Sequence, residues 1–86
     1  MFINIFINSY LKNLSVDKAI LISKQFSIDF SQSEMETILP YLKINWKDFL
    51  DSTKRPYLLR KLADISSENT AKKADNLISK LLVILS

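Results

Sequence analysis

Apolar residues recur at helical spacing along almost the whole chain. Phe2, Phe6, Tyr10 and Leu14 fall every fourth position, with Ile3, Ile7 and Leu11 beside them and Asn4, Asn8 and Lys12 opposite. That pattern predicts a helix over Phe2–Lys12 with an apolar arc about 180° wide. Ser15 is a good N-cap for a second helix, Val16 to about Phe26, with Asp17 in its first turn. Its Ala19-Ile20-Leu21-Ile22 run is apolar all round, which suits a central, buried helix, although its β-branched content also fits a strand. Ser27-Ile28-Asp29-Phe30 alternates polar with apolar and reads as an extended link.

Ser31 with Glu34, and Ser33 with Glu36, both fit a capping box, so a third helix starts there. Its core stripe is Met35, Ile38, Leu39 and Leu42, and Pro40 is expected to kink or shorten it. Asn45–Phe49 reads as a short capped turn of helix whose Trp46 and Phe49 plug the core. Ser52 or Thr53 opens a fourth helix, with Leu58, Leu59, Leu62 and Ile65 on its buried face. Ser66 is the expected cap of the last helix, whose face is Ala71, Ala74, Leu77, Ile78, Leu81, Leu82 and Leu85. Leu21–Leu39 and Leu58–Leu77 echo each other as helix, serine-capped turn, helix. The expected architecture is all-α: a compact bundle of four to five short helices, with residues 1–86 as a single helical domain.

Composition narrows the chemistry. The 86 residues include no cysteine, histidine or glycine. Disulfides and thiolate metal sites are therefore impossible, and the commonest general base and metal ligand are missing. Glycine-dependent phosphate loops are excluded as well. Where a helix must end in a left-handed residue, Asn13 and Asn45 are the expected substitutes. Glu34 and Glu36 diverge by about 200° on a helix and cannot flank one bond. Asp48 and Asp51 are three apart, near helix starts, where carboxylates usually serve as caps. The expectation is a non-enzymatic protein with no cofactor, metal or small-molecule substrate. Met1–Leu11 lacks the basic start and cleavage site of a signal peptide, and no apolar run approaches the roughly 18–20 residues of a membrane span, which points to the cytoplasm.

The net charge of +3 is unevenly spread: residues 43–86 hold nine basic side chains against five acidic. Lys54, Tyr57 and Lys61 follow one flank of the fourth helix and Arg60 points outward. Lys73 and Lys80 are placed opposite the leucine face of the last helix, with Lys72 to one side. Such residues could track a phosphate backbone with Tyr57 as a stacking surface. The plainer reading is a solvated face on which Asp64 pairs with Arg60 or Lys61, and Glu68 with Lys72.

The apolar ends carry the other functional reading. In Leu81-Leu82-Val83-Ile84-Leu85 the core face takes only three of five side chains, so Val83 and Ile84 are surplus, as is part of the first helix around Phe2. The surplus is either covered within one chain or exposed as a partner-binding patch of Phe2, Val83, Ile84 and Leu85. The leading functional expectation is thus a protein-interaction or homodimerisation module. The alternative is a small nucleic-acid-binding accessory protein using Lys54, Tyr57, Arg60, Lys61, Lys72, Lys73 and Lys80.

From Leu14 to Leu82 the chain resembles a small all-helical bacterial family of Gram-positive organisms, a domain of unknown function. The resemblance rests on Ser15-Val-Asp-Lys, Lys24-Gln-Phe-Ser-Ile-Asp-Phe-Ser, Ile44-Asn-Trp-Lys-Asp-Phe and Leu58-Leu-Arg-Lys-Leu-Ala-Asp-Ile-Ser-Ser-Glu-Asn-Thr-Ala. It departs from that pattern in lacking glycine before the Ile44-Asn45 turn and in carrying Pro40 and Pro56. The resemblance implies a helical fold and assigns no activity or functional residue.

Overall fold

Ser15 is extended and its hydroxyl accepts the Lys18 amide at 3.2 Å, so helix α1 starts at Val16 as its cap demands. The computed structural model describes residues 12–85, except the side chains of Ile84 and Leu85; the helix expected over Phe2–Lys12 thus lies almost wholly outside the described residues. α1 spans Val16–Gln25 and buries Ala19 and Ser23, the Ser23 hydroxyl donating back to the Ala19 carbonyl at 2.9 Å. It is not the central helix its composition suggests, because Leu21 faces solvent and Ile20 and Ile22 are only half-buried.

α1 ends in a left-handed turn built without glycine. Ser27 has φ 62° and is the only positive-φ residue among those described, so Asn13 and Asn45 do not take that role. The Ser27 N–H donates to the Lys24 carbonyl at 2.9 Å and the Ile28 N–H to the Ser23 carbonyl at 3.0 Å. That paired pattern satisfies two orphan carbonyls at the helix end and turns the chain sharply. Ile28 and Phe30 then enter the core while Asp29 stays in water, as the alternation requires.

α2, Gln32–Ile44, uses Ser31 as its cap and not Ser33. The Ser31 hydroxyl accepts the Glu34 amide at 3.0 Å, and the Glu34 carboxylate accepts the Ser31 amide at 2.9 Å, closing the capping box. Met35, Ile38, Leu39 and Leu42 are buried, and the helix continues four residues past Pro40 instead of stopping there. Pro40 is exposed, so its ring avoids the core, but it has no N–H to give the Glu36 carbonyl.

Asn45 separates α2 from α3, Trp46–Leu50, which delivers Trp46 and Phe49 into the core as expected. The Phe49 ring meets Tyr41 edge-on at 6.0 Å. Asp51 shapes the next turn: its carboxylate accepts the amide of Thr53 at 2.9 Å and the Thr53 hydroxyl at 2.6 Å. This moves the start of α4 to Arg55, beyond the Ser52 or Thr53 expected, and Pro56 occupies the first turn where no donor is needed. The Arg55 guanidinium folds back onto the carbonyl of Phe49 at 2.7 Å, placing a cation at the negative end of α3.

α4, Arg55–Ile65, buries Leu58 and Leu62, with Leu59 half-buried and Ile65 largely exposed. Ser66 closes α4 by donating its hydroxyl to the Leu62 carbonyl, so Ser67 caps the last helix in its place, accepting the Thr70 amide at 3.0 Å. α5 spans Glu68–Leu85. Among the described residues the fold is all-α, with five helices. α1 pairs with α2, α4 pairs with α5 across the Ser66-Ser67 link, and α3 fills the space between the pairs. The radius of gyration is 11.9 Å, against about 12 Å for a compact chain of this length.

Candidate functional site

The two serine-capped helix starts meet. The Glu34 carboxylate on α2 accepts the Thr70 hydroxyl on α5, and the Lys73 ammonium reaches both its oxygens, at 2.9 and 3.2 Å. Thr70 is itself tied to the Ser67 cap, whose hydroxyl donates to Thr70 Oγ1 at 2.9 Å. Lys73 also sits 5.8 Å from the Phe30 ring centroid. Partial burial resists ionisation of Glu34, but the Ser31 amide, the Thr70 hydroxyl and the Lys73 ammonium outweigh it and hold its pKa at about 2, well below the ordinary 4.5. These bonds tie the start of α2 to the start of α5, which makes the cluster a structural joint.

The joint changes the basic surface. Lys73 is half-buried against Glu34, not opposite the leucine face, so it is withdrawn from any phosphate-binding set. Lys54 reaches Asp48 at 3.4 Å across the α3–α4 turn. Lys61 lies 5.3 Å from the Tyr57 ring centroid, so the stacking face of Tyr57 already carries a cation. Arg60, Lys61, Lys72 and Lys80 are exposed, and the expected pairs of Asp64 with Arg60 or Lys61 and of Glu68 with Lys72 do not form.

The apolar end is described only in part. Phe2 and the side chains of Ile84 and Leu85 lie outside the described residues, and Val83 is 76% exposed. α5 has 18 residues against 11 in α4, so beyond their two-residue link it outruns its partner by roughly 10 Å. Among its described side chains Ile78 is the last fully buried one, and Leu81 and Leu82 are half-buried.

A second apolar surface was not legible in the hydrophobic pattern. An open groove of about 420 Å³ runs between the start of α1 and the outer flank of α2, lined by Leu14, Val16, Leu39 and Pro40 with Ser15, Glu36 and Lys43 at its edges. A neighbouring concavity of about 360 Å³ shares Lys43 and contains Ile44 and Trp46. Ile44 is 82% exposed, and the indole N–H of buried Trp46 has no acceptor among the described residues. The available signal was Pro40. A helix that keeps a proline, and follows it with an isoleucine off the core stripe, places apolar side chains on its outer face. Glu36 and Lys43 lie on the same flank, two turns apart, or about 10 Å.

A family match spans residues 1–82. The chain belongs to DUF2624, a family of proteins of unknown function. Its match reaches beyond the Leu14–Leu82 resemblance to include the N-terminal segment. No curated protein and no solved structure matches the chain. No described helix is long and apolar enough to cross a membrane, and no cluster of three metal-ligating side chains occurs among the described residues.

Proposed function

We propose that this DUF2624 chain is a non-enzymatic protein-interaction module that docks a partner along the outer flank of α2. One observation carries the reading. An apolar groove borders, at Lys43, a second concavity whose lining includes an isoleucine that the fold leaves 82% exposed. Scattered exposed apolar residues are ordinary, but a lined groove beside one is the usual form of a recognition surface. The overhanging end of α5 offers a further apolar contact. The competing nucleic-acid reading keeps Lys54, Tyr57, Arg60, Lys61, Lys72 and Lys80 on the surface, with Lys54 weakly paired to Asp48, and has Lys73 engaged by Glu34, which weakens its phosphate-tracking set.

A photo-cross-linking residue placed at position 44 in the native host tests this. The expected result is a discrete protein adduct that survives nuclease treatment and high salt, absent when the same probe stands at exposed Asn76. An adduct abolished by nuclease would replace the reading with the nucleic-acid one, since phosphate contacts weaken steeply with salt. No adduct above the Asn76 control would sink it.

A further inference from the structure

We propose that the occupant of the α1–α2 groove is a second copy of this chain, packed about a two-fold axis that passes beside Pro40. The inference rests on the interaction reading and names the partner. A symmetric dimer needs a self-complementary surface, in which residue i of one copy meets residue j of the other and the reverse holds too. The flank of α2 that borders the groove meets that requirement in charge, with exposed Pro40 between the charges. The groove's apolar floor is Leu39 and Pro40, with Leu14 and Val16 alongside. Its two charged edges, Glu36 and Lys43, have opposite sign and lie nearly equal distances in sequence on either side of the Leu39-Pro40 step. Two antiparallel α2 helices crossing at that step place Glu36 of each copy against Lys43 of the other.

Among the described residues neither charge is already neutralised. Lys43 has no ion pair among the described residues, and Glu36 accepts only the neutral amide of Gln32, at 3.1 Å. Pro40 adds an acceptor at the same place. Because it has no N–H, the Glu36 carbonyl lacks its intrahelical donor, and an incoming ammonium can satisfy carboxylate and carbonyl together. Ile44, one residue beyond Lys43, extends the apolar contact past the charged pair. A partner of unrelated sequence would have no reason to find opposite charges balanced about the apolar step. A second copy supplies that match automatically.

Charge reversal decides the matter on the full-length protein. The wild type is expected to show a concentration-dependent rise from 10.0 kDa towards twice that mass in light scattering and sedimentation equilibrium. Glu36→Lys alone sets lysine against lysine across the axis, and Lys43→Glu alone sets glutamate against glutamate. Each is expected to weaken self-association by about tenfold or more, because two rim pairs turn repulsive at once. An equimolar mixture of the two variants restores both attractive pairs in the heterodimer and is expected to associate at least as tightly as the wild type. Unchanged thermal midpoints of the two variants at low concentration show that folding is intact. A wild type that stays at 10.0 kDa to millimolar concentration, or a mixture no tighter than its separate components, overturns the proposal. A position-44 adduct heavier than a dimer, with a monomeric wild type, sinks the second copy and leaves the interaction reading standing. The absence of any adduct sinks both.

Discussion

The carboxylate of Glu34 and the hydroxyl of Thr70 join helix starts 36 residues apart. Each partner is also half of a local cap: Glu34 closes the capping box with Ser31, and Thr70 binds the Ser67 cap. One contact therefore aligns α2 with α5 through groups whose orientation their own helices already fix. Thr70 is 2% exposed, so its hydroxyl has no water to turn to. Thr70→Val keeps the shape and removes the donor. It is expected to cost about 1–2 kcal/mol, since the Glu34 oxygen loses a charge-assisted bond in a partly buried site. Chemical denaturation at neutral pH measures this. A change below about 0.3 kcal/mol would mean that the joint contributes nothing to stability.

Glu34 also sets an acid limit on the fold. Its folded pKa, about 2, lies below the ordinary 4.5, so the unfolded chain takes up this proton more readily. The resulting stabilisation is complete above about pH 4.5 and disappears as the pH falls towards 2. Allowing for the partial solvent exposure of both partners, it amounts to roughly 2 kcal/mol. Asp51, lowered chiefly by its bonds to the Thr53 hydroxyl and amide, acts with the same sign from a partly exposed site. Glu34→Gln is expected to be less stable than the wild type at pH 7 and to converge with it near pH 2. Parallel pH profiles of the two would contradict the assignment.

The helix types and most of the core were legible because they follow from local pattern. Ser15, the Ser31–Glu34 box and the stripe Met35, Ile38, Leu39, Leu42 all act within a few residues of one another. What escaped depended on choices between adjacent equals or on contacts distant in sequence. Ser66 and Ser67 are identical as caps until one hydroxyl turns back to Leu62 and the other meets Thr70. Asp51 displaces the start of α4 because a carboxylate four residues ahead of the proline-containing first turn competes with the serine and threonine between them. The pattern of α5 alone puts Lys73 at the surface, because nothing within its own helix announces Glu34, 39 residues away. The groove is not legible in the sequence for a related reason: its wall is Leu14 and Val16, and only the fold sets them beside Pro40.

Ser27 stands where a glycine would be more favourable. Its φ of 62° is enforced by the two hydrogen bonds that close α1, and a side chain with a Cβ is strained there. Ser27→Gly is expected to raise stability by about 0.5–1 kcal/mol, and Ser27→Val to lower it by more than that. The pair discriminates backbone strain from lost side-chain contacts. If glycine destabilised the protein as valine does, the left-handed turn would not be the cause. The prediction runs against the usual effect of glycine on the unfolded chain, so its sign is informative.

Pro40 links stability to association. In the middle of α2 it removes one backbone bond and is a poor helix former, at a cost of order 3 kcal/mol relative to alanine in an open helix interior. Pro40→Ala restores a donor for the Glu36 carbonyl and is expected to stabilise the monomer by roughly 1–2 kcal/mol, with the fold already accommodating the helix on both sides. The same change removes the ring from the groove floor and occupies the carbonyl that an incoming Lys43 would use. Self-association should therefore weaken while the thermal midpoint rises. A residue retained for packing within the chain would move both quantities down together, and a residue with no role at the surface would leave association unchanged. Sedimentation and thermal unfolding on the one variant separate these outcomes, because a surface that trades helix stability for contact is the only one of the three that sends them in opposite directions.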